Sequence, residues 1–214
     1  MNRTADVVIV GAGVIGSATA FELAKRGYKT LNIDKLPASG YGSTSNSCAI
    51  VRAHYSTWDG VAMAYEGFFY WDDWNKYLEV EDERGMAKYM KTGSIMFMLK
   101  GADHSKKSLN LFKEIGVEHE IWDLETLKKK MPIYSHDSYN GTSRPDEDDS
   151  FFDKSGDQIE GAVWTPGSGY VSDPQLATHN LQVATEAKGG EFLFDAEITE
   201  IRQSNGQIQG VTLK

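Results

Sequence analysis

Cysteine is nearly absent: Cys48 is the single one among 214 residues. That excludes an internal disulfide and any cysteine-rich metal centre, and fits a reducing cytoplasm. Histidine offers no metal site in its place, because His54, His104, His119, His136 and His179 show no His-x-x-x-His or histidine–carboxylate ligand spacing. Basic residues are too few to favour a nucleic-acid partner: 22 Lys and Arg face 31 Asp and Glu, for a formal charge of −9. The run Lys128-Lys129-Lys130 reads as a solvated helix end. No apolar stretch has the length needed to cross a bilayer. The N-terminal apolar run follows Asp6 and breaks at glycines, so it lacks the plan of a secretory leader. A cytoplasmic location is expected, and the chain is large enough to bury a core as one large domain or two small ones.

The organising stretch is the first forty residues. Asp6-Val7-Val8-Ile9-Val10 reads as a buried parallel strand, Gly11-Ala12-Gly13-Val14-Ile15-Gly16 as a tight turn, and the residues up to about Arg26 as a helix. In such a unit Gly11 makes the sharp turn and Gly13 lets the backbone approach a pyrophosphate. Gly16 lets the helix lie close to the strand. The helix N-terminus, through Val14, Ile15 and Gly16, offers unpaired N–H groups and a positive dipole end to phosphates. A second strand, Thr30 to Ile33, ends at Asp34, where a carboxylate can accept hydrogen bonds from ribose hydroxyls, with Lys35 beside it. An unphosphorylated ribose is therefore expected. Strand, glycines, helix, second strand and acid stand in the order that the dinucleotide motif requires, which leaves FAD and NAD both open.

A small polar loop follows, with Ser43, Thr44, Ser45, Asn46 and Ser47 as its hydroxyl and amide groups, and it leads into Ala49-Ile50-Val51-Arg52-Ala53-His54-Tyr55. The glycine motif, Asp34, this loop and the Arg52–Tyr55 run together resemble the D-amino-acid-oxidase-like FAD-dependent oxidoreductases, above all the sarcosine oxidase and dimethylglycine-type branch. The resemblance implies a Rossmann-like, doubly wound α/β FAD-binding sheet with a mixed-sheet α+β substrate domain. It implies FAD held by Gly11, Gly13, Val14, Ile15, Gly16, Asp34, Lys35 and Ser43 to Ser47, with the backbone of Ile198 at the adenine. Members that attach their flavin covalently on this loop carry histidine where Asn46 or its neighbour stands, so noncovalent binding is expected. Monomeric sarcosine oxidases carry a basic residue at the position of Ala49. Arg52 would hold a substrate carboxylate, with His54 and Tyr55 as further candidates for the catalytic pocket.

Beyond residue 55 the pattern supplies supporting elements. Gly60 to Leu78 reads as a core helix packed on both sides, Ser94 to Leu99 as a strand, Ser105 to Ile115 as a helix, and Leu124 to Lys130 as a short helix stopped before Pro132. Residues 134 to 158 read as one loop whose Asp146–Asp149 run is a solvated acidic turn. Gly161 to Trp164 resumes a strand, Asp173-Pro174 caps a helix running to about Lys188, and Glu191 to Phe194 is a strand. Ile198 to Gln203 and Gln207 to Leu213 form a hairpin about Ser204-Asn205-Gly206.

The resemblance divides the chain into 1–80, the first part of the FAD-binding domain, 81–175, a substrate-domain segment, and 176–214, the return to the FAD-binding domain. The expected activity is oxidation of the C–N bond of a small secondary or tertiary amine or amino acid. Family chains continue past the position of Lys214, so the chain is expected to be the N-terminal half of a catalytic unit. A second polypeptide, an oligomer or a longer chain would complete it. Two other classes share some of these features: a noncatalytic nucleotide-binding or scaffolding fragment, and a nicotinamide dehydrogenase, which accounts for the first forty residues but not for the Ser/Thr/Asn loop or Arg52.

Overall fold

The computed structural model describes residues 3–101, 103–140 and 144–214. In chain order the elements are β1 (Val7–Val10), α1 (Val14–Lys25), β2 (Thr30–Ile33), β3 (Ile50–Val51), α2 (Trp58–Asp72), α3 (Trp74–Leu78), β4 (Tyr89–Met90) and β5 (Ser94–Met98). They continue with α4 (His104–Ile115), β6 (Glu120–Asp123), α5 (Leu124–Lys130), β7 (Asp137–Tyr139), β8 (Lys154–Gln158) and β9 (Gly161–Thr165). The last are β10 (Gly169–Val171), α6 (Pro174–Ala187), β11 (Glu191–Leu193), β12 (Ile198–Ser204) and β13 (Gln207–Leu213). The chain forms two compact units: one holds the described residues up to Ile50 with Tyr70–Met90 and Tyr170–Lys214, the other Val51–Phe69 with Lys91–Gly169. Their boundaries cut across the segments drawn from sequence, since 51–69 packs with the second unit and 81–90 with the first.

In the first unit β1, β2 and β11 form a parallel sheet in the order β1-β2-β11. All four residues of β2 are buried, as expected of a strand in the middle of a parallel sheet. α1 and α6 pack on each other and bury Ala20, Phe21 and Ala24 from one, Ala177, Leu181 and Ala184 from the other. The alanines among them let the two helices approach closely. α6 starts where the sequence says: Pro174 holds the first position and the Asp173 carboxylate accepts from the Leu176 amide at 2.9 Å. β12 and β13 form the expected hairpin, its turn made by Asn205 and Gly206, both at positive φ.

Asn180 is the polar centre of this unit. Its Oδ1 accepts from Trp74 Nε1 at 3.3 Å and from the Ala87 amide at 2.9 Å. Its Nδ2 donates to Asp82 Oδ2 at 2.8 Å and to the Gly85 carbonyl at 2.9 Å. Asp82 Oδ2 also meets His179 Nδ1 at 2.6 Å. One side chain on α6 therefore fastens the irregular segment 82–87 with all four of its hydrogen-bonding positions in use.

The second unit is built on the antiparallel sheet β5-β9-β6. Ala162 and Val163, side by side on β9, point to opposite faces, and each face has its own cover. Val163 packs with Ala53, Val61, Phe68, Phe112 and Val117; Ala162 packs with Trp122, Leu127 and Ile159. Burial on both sides explains why Gly161-Ala162-Val163-Trp164 is a continuous apolar run with no alternation.

Two expectations need correction. The stretch 134–158 is not one loop, because β7 and β8 pair antiparallel within it. The polar residues of β8, all exposed, hid the strand, since no apolar face marks it. The helix expected from Gly60 to Leu78 is two, α2 and α3, parted at Asp73, and it is not packed on both sides: Met63 is 74% and Phe69 60% exposed. β6 went unread because Glu120-Ile121-Trp122-Asp123 buries only Trp122.

Asn180→Ala should destabilise the first unit by about 3 kcal/mol, because it strands the Trp74 and Ala87 donors away from water. Urea unfolding followed by tryptophan fluorescence measures it, and a loss within experimental error of zero would contradict the assignment.

Candidate cofactor and substrate sites

The glycine turn lies between the C-terminal end of β1 and the start of α1. Gly11 takes φ +104°, a conformation that residues with a Cβ avoid. A Cβ on Gly16 would run into the carbonyl oxygen of Gly11, so glycine is needed there for helix and strand to approach. A Cβ on Gly13 would come within 3.3 Å of Thr44 Oγ1. Gly13 is the N-cap of α1 and brings no capping side chain. The Val14 amide instead donates to Thr44 Oγ1 at 3.1 Å. The amides of Ile15 and Gly16 belong to the first turn, which has no intrahelical acceptors, and Ile15 is 81% exposed.

Asp34 braces the turn as well as standing at its rim. Its Oδ2 accepts from the Ala12 amide at 2.7 Å and its Oδ1 from the Leu36 amide at 2.9 Å. Each oxygen keeps a further lone pair for a ribose hydroxyl. Lys35 is exposed. The polar loop docks on the turn through the Gly40 amide, which donates to the Ala12 carbonyl at 2.8 Å, and through buried Thr44. Of the five loop residues expected at the cofactor, Thr44 is the one whose side chain touches the turn. Ser45 Oγ and Asn46 Nδ2 donate to the Gly42 carbonyl, Ser47 Oγ accepts from the Ala49 amide, and Ser43 is exposed. Ile198 packs its side chain with Leu31, Ile33 and Ala196 and pairs with Leu213.

The glycine cradle, the open helix start and the acid at the end of β2 fit a dinucleotide pyrophosphate and ribose. Sequence reasoning passed over Asn32, a fully buried amide in β2, whose Nδ2 donates to the carbonyls of Gly11 and Gly16 at 3.3 and 3.1 Å. Its signal was an amide inside an otherwise buried strand.

In the second unit Arg52 is exposed. Its Nη1 donates to the His54 carbonyl at 3.1 Å, and its guanidinium lies 5.5 Å from the centroid of the Tyr55 ring. Among the described residues no carboxylate lies within ion-pair distance of it, so most of its fork of donors is unused. The structure brings Arg52 and Tyr55 together but sends the His54 ring elsewhere. His54 is buried, 5.5 Å from the Phe112 ring, with Nε2 at 3.1 Å from Thr165 Oγ1. That hydroxyl also meets Ser168 Oγ at 2.9 Å and Ser94 Oγ at 2.8 Å. Burial, then the Arg52 charge and more weakly His104, push the His54 imidazole down to about 4. It is therefore neutral at physiological pH, placed to hold the backbone whose carbonyl Arg52 grips.

No helix among the described residues is long and apolar enough to cross a membrane. No group of three His, Cys, Asp or Glu side chains among them is placed to hold a metal ion.

The fold and the glycine turn define a dinucleotide-binding α/β protein. The family described as FAD dependent oxidoreductase matches residues 6–214, and the chain belongs to that family. Membership favours FAD over a nicotinamide cofactor. Among curated relatives, a putative sarcosine oxidase of Caenorhabditis elegans is 31% identical over 147 residues, covering 68% of this chain and 36% of that protein. A monomeric sarcosine oxidase of Streptomyces avermitilis is 26% identical over 200 residues, covering 93% and 45%. A D-amino acid dehydrogenase of Rhodopseudomonas palustris is 25% identical over 239 residues, covering 96% and 56%. The chain thus spans about half the length of these relatives, or less. Among solved structures, L-proline dehydrogenase from P. horikoshii superposes with a TM-score of 0.77 at 21% identity, over 100% of this chain and 50% of that one. Glycine oxidase from Bacillus cereus gives 0.67 at 21%, over 98% and 51%.

His54 makes stability depend on pH. The unfolded chain takes up a proton near 6.5 and the folded one near 4, so the unfolded state binds more protons between those values and stability falls as pH drops through that window. Urea unfolding at pH 7 and pH 5 should show a smaller fall in His54→Gln than in the wild type; equal falls would contradict a buried neutral imidazole.

Proposed function

We propose that the chain is the flavin-binding part of an amino-acid or amine oxidoreductase, with FAD held noncovalently. The reading rests chiefly on the β1–turn–α1 cradle, braced by Asp34 and Thr44, in a chain of the FAD dependent oxidoreductase family. Gly11, Gly13 and Gly16 would admit the pyrophosphate, the Ile15 and Gly16 amides of α1 would face its charge, and Asp34 would accept from the ribose. The absence of histidine at Asn46 and its neighbours on the loop supports noncovalent attachment. When bound, FAD supplies the redox chemistry, accepting a hydride equivalent from the carbon beside the amine nitrogen. The resulting imine is hydrolysed by water.

The substrate would be a small secondary or tertiary amine carrying a carboxylate, such as sarcosine or dimethylglycine. Arg52 would hold the carboxylate: its fork is unpaired by any carboxylate of the described residues and is steadied by the His54 carbonyl and the Tyr55 ring. Tyr55 would wall the same place. Residues beyond these 214, on a second polypeptide, a second copy or a longer form of the chain, would complete the catalytic unit. The extra length of the relatives supports this.

Gly13→Val should abolish flavin retention while leaving the fold intact by circular dichroism; normal flavin content would refute the cradle. With the completed enzyme, Arg52→Lys should raise KM for a carboxylate-bearing amine by about tenfold or more, because a point charge replaces a bidentate fork. Flavin content should stay unchanged, and equal losses in both would mean that Arg52 is structural.

A further inference from the structure

The geometry points to Asn32 as a positioning residue for the cofactor turn, an inference that rests on the FAD reading. Asn32 is 0% exposed in the middle of a buried strand, where an apolar side chain would ordinarily stand. Its Nδ2 donates to the Gly11 carbonyl at 3.3 Å and to the Gly16 carbonyl at 3.1 Å, the two ends of the glycine turn. The amide orientation follows from chemistry, since two carbonyl oxygens can be faced only by a donor. Its Oδ1 is buried without a partner. A buried carbonyl left unpaired costs about 1–3 kcal/mol. For stability alone, an apolar side chain of similar volume would forgo these two hydrogen bonds but relieve the unpaired carbonyl, so the two effects largely offset. What the amide supplies, and no apolar residue can, is a bridge across the turn that fixes the spacing of its two ends.

That bridge matters for binding more than for folding. The turn must present the Gly13 backbone and the first amides of α1 to a pyrophosphate at a set spacing, and a loosely held turn binds less well because it must be ordered when ligand arrives. Asn32 also completes a series: the Ile33 carbonyl accepts from the Gly11 amide at 2.8 Å and Asp34 takes the Ala12 amide. Asn32 and Ile33 of β2 and Asp34 directly after it thus grip the turn, and Asn32 is the one that reaches both ends of it.

Asn32→Leu separates positioning from structure. FAD is titrated into wild-type and variant apoprotein, with binding followed by flavin fluorescence, and the melting temperature of each apoprotein is recorded. The expected result is an unchanged or raised melting temperature with FAD affinity weakened by about tenfold, the loss expected when one hydrogen-bonded constraint is removed. Should the leucine variant fail to fold, Asn32→Thr, which suits a strand but cannot span the two carbonyls, takes its place. Equal affinity for wild type and variant would overturn the inference, as would a fall in melting temperature that accounts for all the lost affinity. If the wild type itself binds no FAD, the cofactor reading fails first, and the inference with it.

Discussion

The structure depends on the grip of one strand on one turn. β2 lies between β1 and β11, and its last two residues, with Asp34 directly after it, hold the loop that leaves β1. The Asn32 amide donates to the Gly11 and Gly16 carbonyls, the Ile33 carbonyl accepts from the Gly11 amide, and the Asp34 carboxylate accepts from the Ala12 amide. Gly11 and Gly16 allow a turn this tight, and the β2 contacts fix its shape. A turn with no Cβ at its key positions has little rotational constraint of its own, so the constraint must come from outside it. The Ser/Thr loop adds the last brace, with Thr44 accepting the Val14 amide.

The second unit follows the same logic with different chemistry. No carboxylate of the described residues fixes Arg52; it leans on a carbonyl and an aromatic ring. The carbonyl belongs to His54, whose ring is anchored by Thr165, itself a hub for Ser94 and Ser168. Burial, and then the Arg52 charge, keep that imidazole neutral at physiological pH. Its sensitivity to acid is a consequence of the same burial.

Much of the first unit was legible in the sequence because its signals are local. Gly11-Ala12-Gly13-Val14-Ile15-Gly16 between an apolar run and a helical one, Asp34 after a second strand, and Asp173-Pro174 before α6 each carry their meaning within a few residues. What could not be read depends on contacts between residues far apart. Asn32 is an unremarkable polar residue until the strand around it is seen to be fully buried. β8 has no apolar face, so no periodicity marks it. His54 looked like a pocket residue beside Arg52, yet its ring finds Thr165, 111 residues along the chain. The polar loop was legible in kind but not in detail: its position beside the turn was expected, while the division of labour between Thr44 at the turn and Ser45, Asn46 and Ser47 within the loop needed coordinates.

The central claim is that the braced glycine turn holds FAD without a covalent bond. Mass spectrometry of the small molecules released when the purified protein is denatured tests this most directly. The account predicts intact FAD in the supernatant and a polypeptide of unmodified mass. Release of a nicotinamide dinucleotide instead, or a polypeptide that keeps the flavin mass after denaturation, would contradict it.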